Sequence, residues 1–519
     1  MPAPNDSAGL PLHAAARVPV LTADEMRAWD AHAIQSLNVP EAVLMESAGR
    51  AAAAVVHRRY PRGRVVCAVG SGNNGGDAMV VARTLRAWGR DVATVRVGSR
   101  MPDSALLHGW AVDAIDAGRM EDAFRGAEVI VDGLLGTGAT GAPRGAYAEA
   151  IAAMNGAGVP VVALDGPSGV DLTTGAAAGD AVRAEVTVTF GAPKRGLLLF
   201  PGRALAGRIV AVEIGFPPLA DDAASARLLT PAWARATLPP VPPNAHKGMM
   251  GKVSIVAGRA GMAGAGVLAG LGALRAGAGM ASLVSPGANR QILQTALSEA
   301  LFVDRDALDA DFQAGSDAIV AGPGMGTDDD ALALLRTIAR GGDAPMLLDA
   351  DAVTLLARDP GLRDEIGDRP LVLTPHPGEM GRLLSKPIGE ITADPFGAAA
   401  EAAERFRCAV LLKGTPSLVA SPGKPALVSV AGHSGLATGG NGDVLSGVVG
   451  ALLARGMGPA DAAGAGLYFA GRAAEIAGRG RGLIPRDVAD ALPAALLEDA
   501  PRESALVLPG VLLDLPPAR

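Results

Sequence analysis

Asp443 stands alone as a carboxylate in a run of small residues. The stretch Ala431 to Gly447 reads AGHSGLATGGNGDVLSG, with five glycines between Gly435 and Gly447, and an apolar run opens at Val444. Small residues at a helix start let backbone N–H groups converge where unpaired donors and the helix dipole favour an anion. A carboxylate beside such an anion hole is placed to take a proton from a hydroxyl while phosphate is transferred to it. A tight loop that merely needs glycine reads the same way, so the rest of the chain must decide.

A second group of candidates lies in the front half. Gly70, Gly72 and Gly75 in GSGNNGGD satisfy G-x-G-x-x-G after the apolar run VVCAVG, with a helix pattern following. A dinucleotide site of that kind wants an acid at the end of the next strand for the ribose. Here Asp91 lies at that strand's start. Asn73, Asn74, Gly75, Gly76 and Asp77 instead gather side-chain carbonyls, N–H groups and a carboxylate beside a polar ligand. The alternative is a glycine turn with Asn in left-handed geometry. Asp132 and Asp165 each end an apolar run, and Ser168 follows in a Pro-Ser-Gly turn. Each acid alone reads equally well as a helix cap. In open parallel sheets, however, ligand groups gather beyond the carboxyl ends of strands, and the recurrence points to one shared site. Lys194 follows a further strand, where it either binds a phosphate or is solvated, the commoner fate.

In the rear half, polar residues again end apolar runs: the Gly322 to Gly326 turn, Asp349 and Asp351, then Thr374, His376 and Glu379, then Lys413-Gly414. His376 reads either as a site residue or as a turn histidine capping a helix. The other histidines are scattered, which argues against zinc. No Walker A string occurs, so the late glycine loop around Asp443 is the phosphate cradle.

The elements that must position these groups follow from pattern. Thr22 to Glu25 is a capping box that opens a helix to about Ser36, and an Ala-rich helix runs from about Glu41 to Arg59. Strand and helix alternate in both halves, which predicts an α/β fold of two doubly wound domains. Pro pairs between Gly215 and Gly248 break any long helix, and place the boundary near residue 222. At 519 residues the chain exceeds one ordinary core. With only 3% aromatics, its apolar share suits close helix-on-sheet packing. A net charge of −7 without a long basic run argues against nucleic acid. Cys67 and Cys408 sit in separate apolar runs and read as buried thiols of a reducing compartment. Residues 1–19 lack a signal peptide's apolar core and read as a flexible extension. The longest apolar stretch, Gly261 to Val284, is Gly/Ala-rich and broken by Arg275, which argues against a membrane span. The expectation is a soluble cytoplasmic protein, homo-oligomeric, acting on small molecules.

The strings GNNGGD, VDGLLGTG, LDGPSG and TFGAPKRGL, in this order, resemble the epimerase domain of the NAD(P)H-hydrate repair enzymes. The resemblance covers about residues 20 to 215 and implies a Rossmann-like domain, 20–222, that interconverts the R and S hydrates of NADH and NADPH. Carried over by position, Asn73, Asn74, Gly75, Gly76, Asp77, the loop Gly136, Thr137, Gly138, Ala139, Thr140, Gly141, Ala142, and Tyr147 would hold the dinucleotide. Asp165 would be the acid/base group. Asn74, Asp132 and Ser168 would surround a potassium ion. Gly133 and Gly166 depart from the family's usual Ala and Ile, small-for-larger changes that bear on the site's rigidity more than on its chemistry.

GPGMG, LDADAV, LTPHPGEM and ATGGNGDVLSG resemble the dehydratase domain of the same family, which is ribokinase-like. The implied domain is 223–510. The resemblance implies that ADP, with Mg2+, or ATP in some members, phosphorylates the hydroxyl of the S hydrate, and that loss of phosphate restores the nicotinamide double bond. Ala265, Gly326, His376 and Asp443 would contact the hydrate, with Asp443 as the base. Lys413, Gly414, Thr415, Pro416, Ser417 and Gly442 would contact the nucleotide. Asn441 departs from the usual Thr or Ser. A sugar or vitamin kinase with an extra domain, or a non-catalytic nucleotide sensor, fits fewer of these residues: the first leaves the front half unexplained, the second has no need of carboxylates at anion holes.

Overall fold

The computed structural model describes residues 18–98, 104–220, 222–308, 315–498 and 510–518. Most of the expected N-terminal extension lies outside them, and Val18 already begins the short strand Val18–Val20. The chain divides between Ala226 and Arg227 into two compact units, and the described C-terminal residues 510–518 group with the first.

The front unit is built on a parallel sheet. Its order is Val511–Leu515, Arg208–Val212, Val186–Phe190, Val161–Leu164, Val129–Gly133, Val65–Val69, Val92–Arg96, Asp113–Ile115. The central strands are buried along their whole length, which is why they read as unbroken apolar runs rather than alternating ones. The chain runs outward from Val65–Val69 in one direction and from Val129–Gly133 in the other, so the switch point lies between these two strands. Register aligns Asp132 with Ala68 on one side and Ala163 on the other. The turns after all three strands therefore open on one edge, where a crevice forms. The Thr22 capping box is present, and the next long helix is Glu41–Arg59.

Residues beyond 510 form an element that pattern reading did not anticipate. Val511–Leu515 pairs antiparallel with Arg208–Val212, and Asp514 meets Arg208 at 2.8 Å. The strand covers what would otherwise be the open edge of this sheet.

The rear unit is also doubly wound. The order of its strands runs Lys424–Ser429, Ser417–Ser421, Ala409–Leu412, Leu371–Leu373, Met346–Leu348, Ala318–Ala321, Lys252–Val256, Met280–Ser285, Leu301–Asp304, with the switch point between Lys252–Val256 and Ala318–Ala321. The pairings from Ala409–Leu412 to Leu301–Asp304 are parallel, and a hairpin adds the two antiparallel strands. The helix that carries Asp443, Asn441–Ala454, crosses Ala263–Arg275 at very short range. A Cβ on Gly447 would lie 1.9 Å from Ala269 O, and one on Gly272 would lie 2.3 Å from Val444 O. Glycine at those two positions is what lets the two helices approach so closely.

Both cysteines are buried free thiols, pushed up to about 12 by burial. Among the described residues no helix is long and apolar enough to cross a membrane.

Candidate active sites

Asp165 follows Val161–Leu164 with φ at +64, a backbone region that L-residues enter chiefly where neighbours hold them. Its N–H donates to Val188 O at 2.7 Å. One carboxylate oxygen accepts from Lys194 Nζ at 2.5 Å; the other accepts from the Thr137 N–H at 3.1 Å and from the Thr137 hydroxyl. Lys194 is 1% exposed. Its remaining ammonium hydrogens go to Thr189 Oγ1 at 3.1 Å and Phe190 O at 2.8 Å. An ammonium has three donors, and all are used. Lys194 is therefore neither solvated nor a phosphate ligand, the two fates open to it in the sequence. Burial pushes the Asp165 carboxyl upward, but the Lys194 charge and the hydrogen bonds from Lys194 and Thr137 outweigh it and hold the group below its ordinary value. The pair with Lys194 thus favours the carboxylate form of Asp165.

Asp165 lines a cleft of about 520 Å³ at the switch point, together with Asn73, Asn74, Asp77, Gly136, Thr137, Gly138, Ala139 and Tyr147. The Tyr147 hydroxyl accepts from the Ser71 N–H at 3.1 Å and lies 2.8 Å from Ser71 Oγ. Gly75 and Gly76 are closely packed and are not among the residues lining the cleft. A Cβ on Gly75 would lie 2.0 Å from Gly70 O, and one on Gly76 2.7 Å from Met45 Cε. Thr140, Gly141 and Ala142 are not among the residues lining the cleft.

Beneath the cleft, Asp132 accepts from the Ser168 hydroxyl at 2.7 Å, the Ser168 N–H at 2.9 Å and the Leu134 N–H at 3.2 Å. Burial pushes its carboxyl up to about 6 in spite of those bonds. Asn74 donates to Leu135 O at 3.0 Å and Leu164 O at 3.1 Å. Ser168 Oγ accepts from the Leu135 N–H at 2.9 Å, so Leu135 joins the two side chains. Asn74 Oδ1 is buried and has no donor among the described residues, an arrangement that costs about 1–3 kcal/mol if nothing fills it. An orphaned carbonyl oxygen beside a buried carboxylate and a hydroxyl is a donor set that fits a hard cation.

Asp30 is a cleft residue that sequence reasoning missed in this half, and Lys194 was singled out there without its partner Asp165. Asp30 lies inside the first helix, Ala23–Ala31, and lines the same cleft. Burial pushes its carboxyl up to about 6; Lys194 opposes this, while Asp165 and Glu41 add to it. No motif marks it in the sequence.

In the rear unit, Asp443 is the third residue of Asn441–Ala454, after Gly440 in left-handed geometry at φ +95. Burial pushes its carboxyl up to about 7; Asp349 and Asp351 push the same way and Lys413 opposes. Among the described residues nothing donates a hydrogen bond to it, so it is free to take a proton. Asp349 is buried at the end of Met346–Leu348, where Lys413 Nζ meets it at 2.6 Å and Ser446 Oγ donates to it at 2.7 Å. Ser446 and Asp443 share one helix face by their spacing. A Cβ on Gly442 would lie 3.4 Å from Lys413 Nζ. Asp443, Gly442, Lys413 and Asp349 thus form one cluster, in which Asp349 fixes the lysine. The sequence placed Asp349 at a strand end but gave it no role.

The turn after Lys413 is closed by Ser417, whose Oγ accepts from the Gly414 N–H at 3.1 Å and donates to Gly414 O at 2.8 Å. Gly326 N–H donates to Asp351 Oδ2 at 2.8 Å. A Cβ on Gly324 would lie 3.2 Å from Ala265 Cβ, which sets Ala265 beside the 322–326 turn. His376 caps Pro377–Leu384: its Nδ1 accepts from Gly378 N–H at 2.9 Å, and Nε2 lies 3.4 Å from Glu379 Oε1. Only Nε2 is left to face a ligand. Asn441 donates to Leu436 O at 3.1 Å and Thr438 O at 3.2 Å, tying the glycine loop to the helix start.

The two small-for-larger departures are filled from elsewhere in the chain. A Cβ on Gly133 would lie 2.4 Å from Ala78 Cβ, and one on Gly166 would lie 2.4 Å from Leu172 Cδ2. The space is occupied, so the site gains no slack from either glycine.

Comparison with known proteins bears on both halves. A family model described as NAD(P)H-hydrate dehydratase matches residues 253–494, and one described as YjeF-related protein N-terminus matches residues 41–196. The bifunctional NAD(P)H-hydrate repair enzyme of Moorella thermoacetica is 35% identical over 515 residues, covering 92% of this chain and 96% of its own length. That of Escherichia coli is 36% identical, covering 88% of each. A solved ADP/ATP-dependent NAD(P)H-hydrate dehydratase from Bacillus subtilis, co-crystallised with ATP and Mg2+, aligns at 28% identity and a TM-score of 0.45, over 51% of this chain and 96% of that one. Matched along nearly its whole length by such relatives, the chain belongs to the family of bifunctional NAD(P)H-hydrate repair enzymes.

Proposed function

We propose that the two units act on one damaged coenzyme in sequence. The front cleft interconverts the R and S hydrates of NADH and NADPH, and the rear site dehydrates the S hydrate with ADP as phosphoryl donor, releasing AMP and phosphate. The observation that carries this reading is the opposite setting of two carboxylates, Asp165 in the front cleft, paired with Lys194 and held below its ordinary value, and Asp443 at a helix start beside Lys413 and Asp349, pushed up to about 7. Such divergent settings mark acid–base groups with different tasks.

In the front unit, Asp165 is kept ionised by Lys194 and aimed by Thr137, ready to hold the hydroxyl proton of the hydrate. Asn74 Oδ1, Asp132 and Ser168 would hold potassium, which supplies fixed positive charge beside the cleft. In the rear unit, Asp443 takes the proton of the hydrate hydroxyl as the phosphoryl group arrives. The N–H groups at Gly440 to Gly442 face the transferred phosphoryl, and Lys413, fixed by Asp349, neutralises its charge. Departure of phosphate then restores the ring double bond. Mg2+ accompanies the nucleotide, and no residue of the chain is assigned to it.

The test is to incubate the purified full chain with mixed hydrates of NADH, then with ADP or with ATP, and to follow the absorbance of reduced coenzyme. Full recovery from both epimers with nucleotide present supports the reading. Recovery of only one epimer removes the front activity; accumulation of a stable phosphorylated product makes the rear unit a kinase.

A further inference from the structure

The mechanism above uses one carboxylate of the front cleft and gives no part to three others, Asp30, Glu41 and Asp77; Glu41 accepts from Asn73 Nδ2 at 2.6 Å. Asp30 lines the same cleft as Asp165 and Lys194. It is half-buried, and among the described residues nothing donates a hydrogen bond to its carboxylate. The charged groups around it come from several elements: Arg27 on its own helix, Glu41 at the start of the next, Asp77 on Asn73–Ala87, and Asp165 with Lys194 at the strand ends. Arg27 is turned to Asp24 and Thr137 O, and Lys194 to Asp165, so neither pairs with Asp30.

We propose that Asp30 is the second acid–base residue of hydrate epimerisation, the proton donor that works opposite Asp165. The proposal rests on the assignment of the front cleft to that reaction. The hydroxyl-bearing carbon of the hydrate is bonded to the ring nitrogen. Asp165 removes the hydroxyl proton, a C=O bond forms, and the C–N bond breaks with its electron pair passing to nitrogen. Nitrogen then takes a proton from the Asp30 carboxyl. Rotation about the opened chain presents the other face of the carbonyl, and reclosure returns one proton from nitrogen to Asp30 and one from Asp165 to oxygen. No atom is gained or lost, and each carboxyl ends as it began. One carboxylate held ionised, sharing its cleft with another that burial moves up to about 6, is the arrangement such an exchange needs.

The test uses the full-length protein with Asp30→Asn, Asp30→Glu and Asp165→Asn. Conversion of R hydrate is read by coupling to nucleotide-dependent recovery, and dehydration of S hydrate in the same sample reports an intact fold. Asp30→Asn should lower kcat for R hydrate by about 10²-fold or more, with KM within about threefold, while S-hydrate dehydration is unchanged. The wild-type R-hydrate rate should fall as pH rises beyond about 6; that limb should vanish in Asp30→Asn and return in Asp30→Glu. A loss in Asp165→Asn alongside an undiminished Asp30→Asn overturns the role of Asp30 alone, as does a change in KM only. If wild type converts R hydrate no faster than buffer, the assignment of the cleft fails and the proposal falls with it.

Discussion

Lys194→Met removes the cation from a buried pair and keeps most of the side-chain volume. The two partners expose 1% and 11% of their side chains, so water screens almost none of their interaction. Replacing one partner of such a pair leaves an uncompensated buried charge, at a cost of about 3–5 kcal/mol. Thr189 Oγ1 and Phe190 O lose their donor at the same time. The pH dependence has a definite sign. In the wild type, Asp165 sits below the value of an unfolded Asp, about 3.9, so its ionisation favours the folded state above that value and the contribution fades as pH falls through it. Without Lys194, burial dominates and the folded value rises above the unfolded one. Ionisation then opposes folding, and the variant recovers part of its deficit as pH falls towards the value of an unfolded Asp. Hydrogen exchange of peptides covering Val161–Leu164 and Val186–Phe190 measures the front unit, with Leu371–Leu373 of the rear unit as internal reference. A deficit under about 1 kcal/mol, or one that does not shrink on acidification, refutes the argument that this pair is buried and mutually dependent.

Asp443→Asn should abolish nucleotide-dependent dehydration while leaving epimerisation of the hydrates intact. Because its folded value is raised to about 7, ionised Asp443 opposes folding, and the amide variant should unfold at a higher temperature than wild type at alkaline pH, with the gain vanishing in acid. Removing residues 510–519 uncovers Arg208–Val212 and takes away the buried Val511, Leu513 and Leu515. At about 1.5–3 kcal/mol per buried aliphatic side chain, the front unit should lose roughly 5 kcal/mol and tend to aggregate, with the rear unit's exchange rates unchanged. Gly166→Ile should cost about 1–3 kcal/mol by overpacking against Leu172; Leu172→Ala in the same chain should restore part of it, and simple additivity of the two changes would show that they do not share the space.

Elements were more legible in the sequence than roles. Unbroken apolar runs such as VVCAV and AVLL become strands because both faces of a parallel sheet are covered, and the carboxyl-end position of Asp132, Asp165, Asp349 and Lys413 follows from the alternation alone. What pattern could not supply is which side chains meet. Lys194 and Asp165 are 29 residues apart, Lys413 and Asp349 are 64 apart, and nothing local to either lysine tells an ion pair from a solvated tip. Asp30 was hidden for a related reason, since a single acid in a charged amphipathic helix looks like part of its wet face. The strand Val511–Leu515 was missed because its partner, Arg208–Val212, belongs to the far end of the chain, and short strands are recognised mainly through what they pair with. His376 was legible as far as its helix cap, which it makes, and the cap leaves one ring nitrogen for any further duty.

The two carboxylate settings constrain how the activities combine. In the proposed epimerisation Asp165 takes a proton and gives it back within one turnover, and Lys194 balances its charge between turnovers. In the proposed rear reaction a phosphoryl group comes to the Asp443 helix start, where burial and the neighbouring Asp349 and Asp351 push the Asp443 carboxyl up to about 7, so that it carries only part of a charge near neutral pH. With Asp443 needed as a base, dehydration of S hydrate rises with pH through about 7. With Asp30 needed as an acid, conversion of R hydrate declines above about 6. Repair that starts from pure R hydrate must pass both steps, so its pH profile has two limbs, whereas repair that starts from S hydrate has only the rising one.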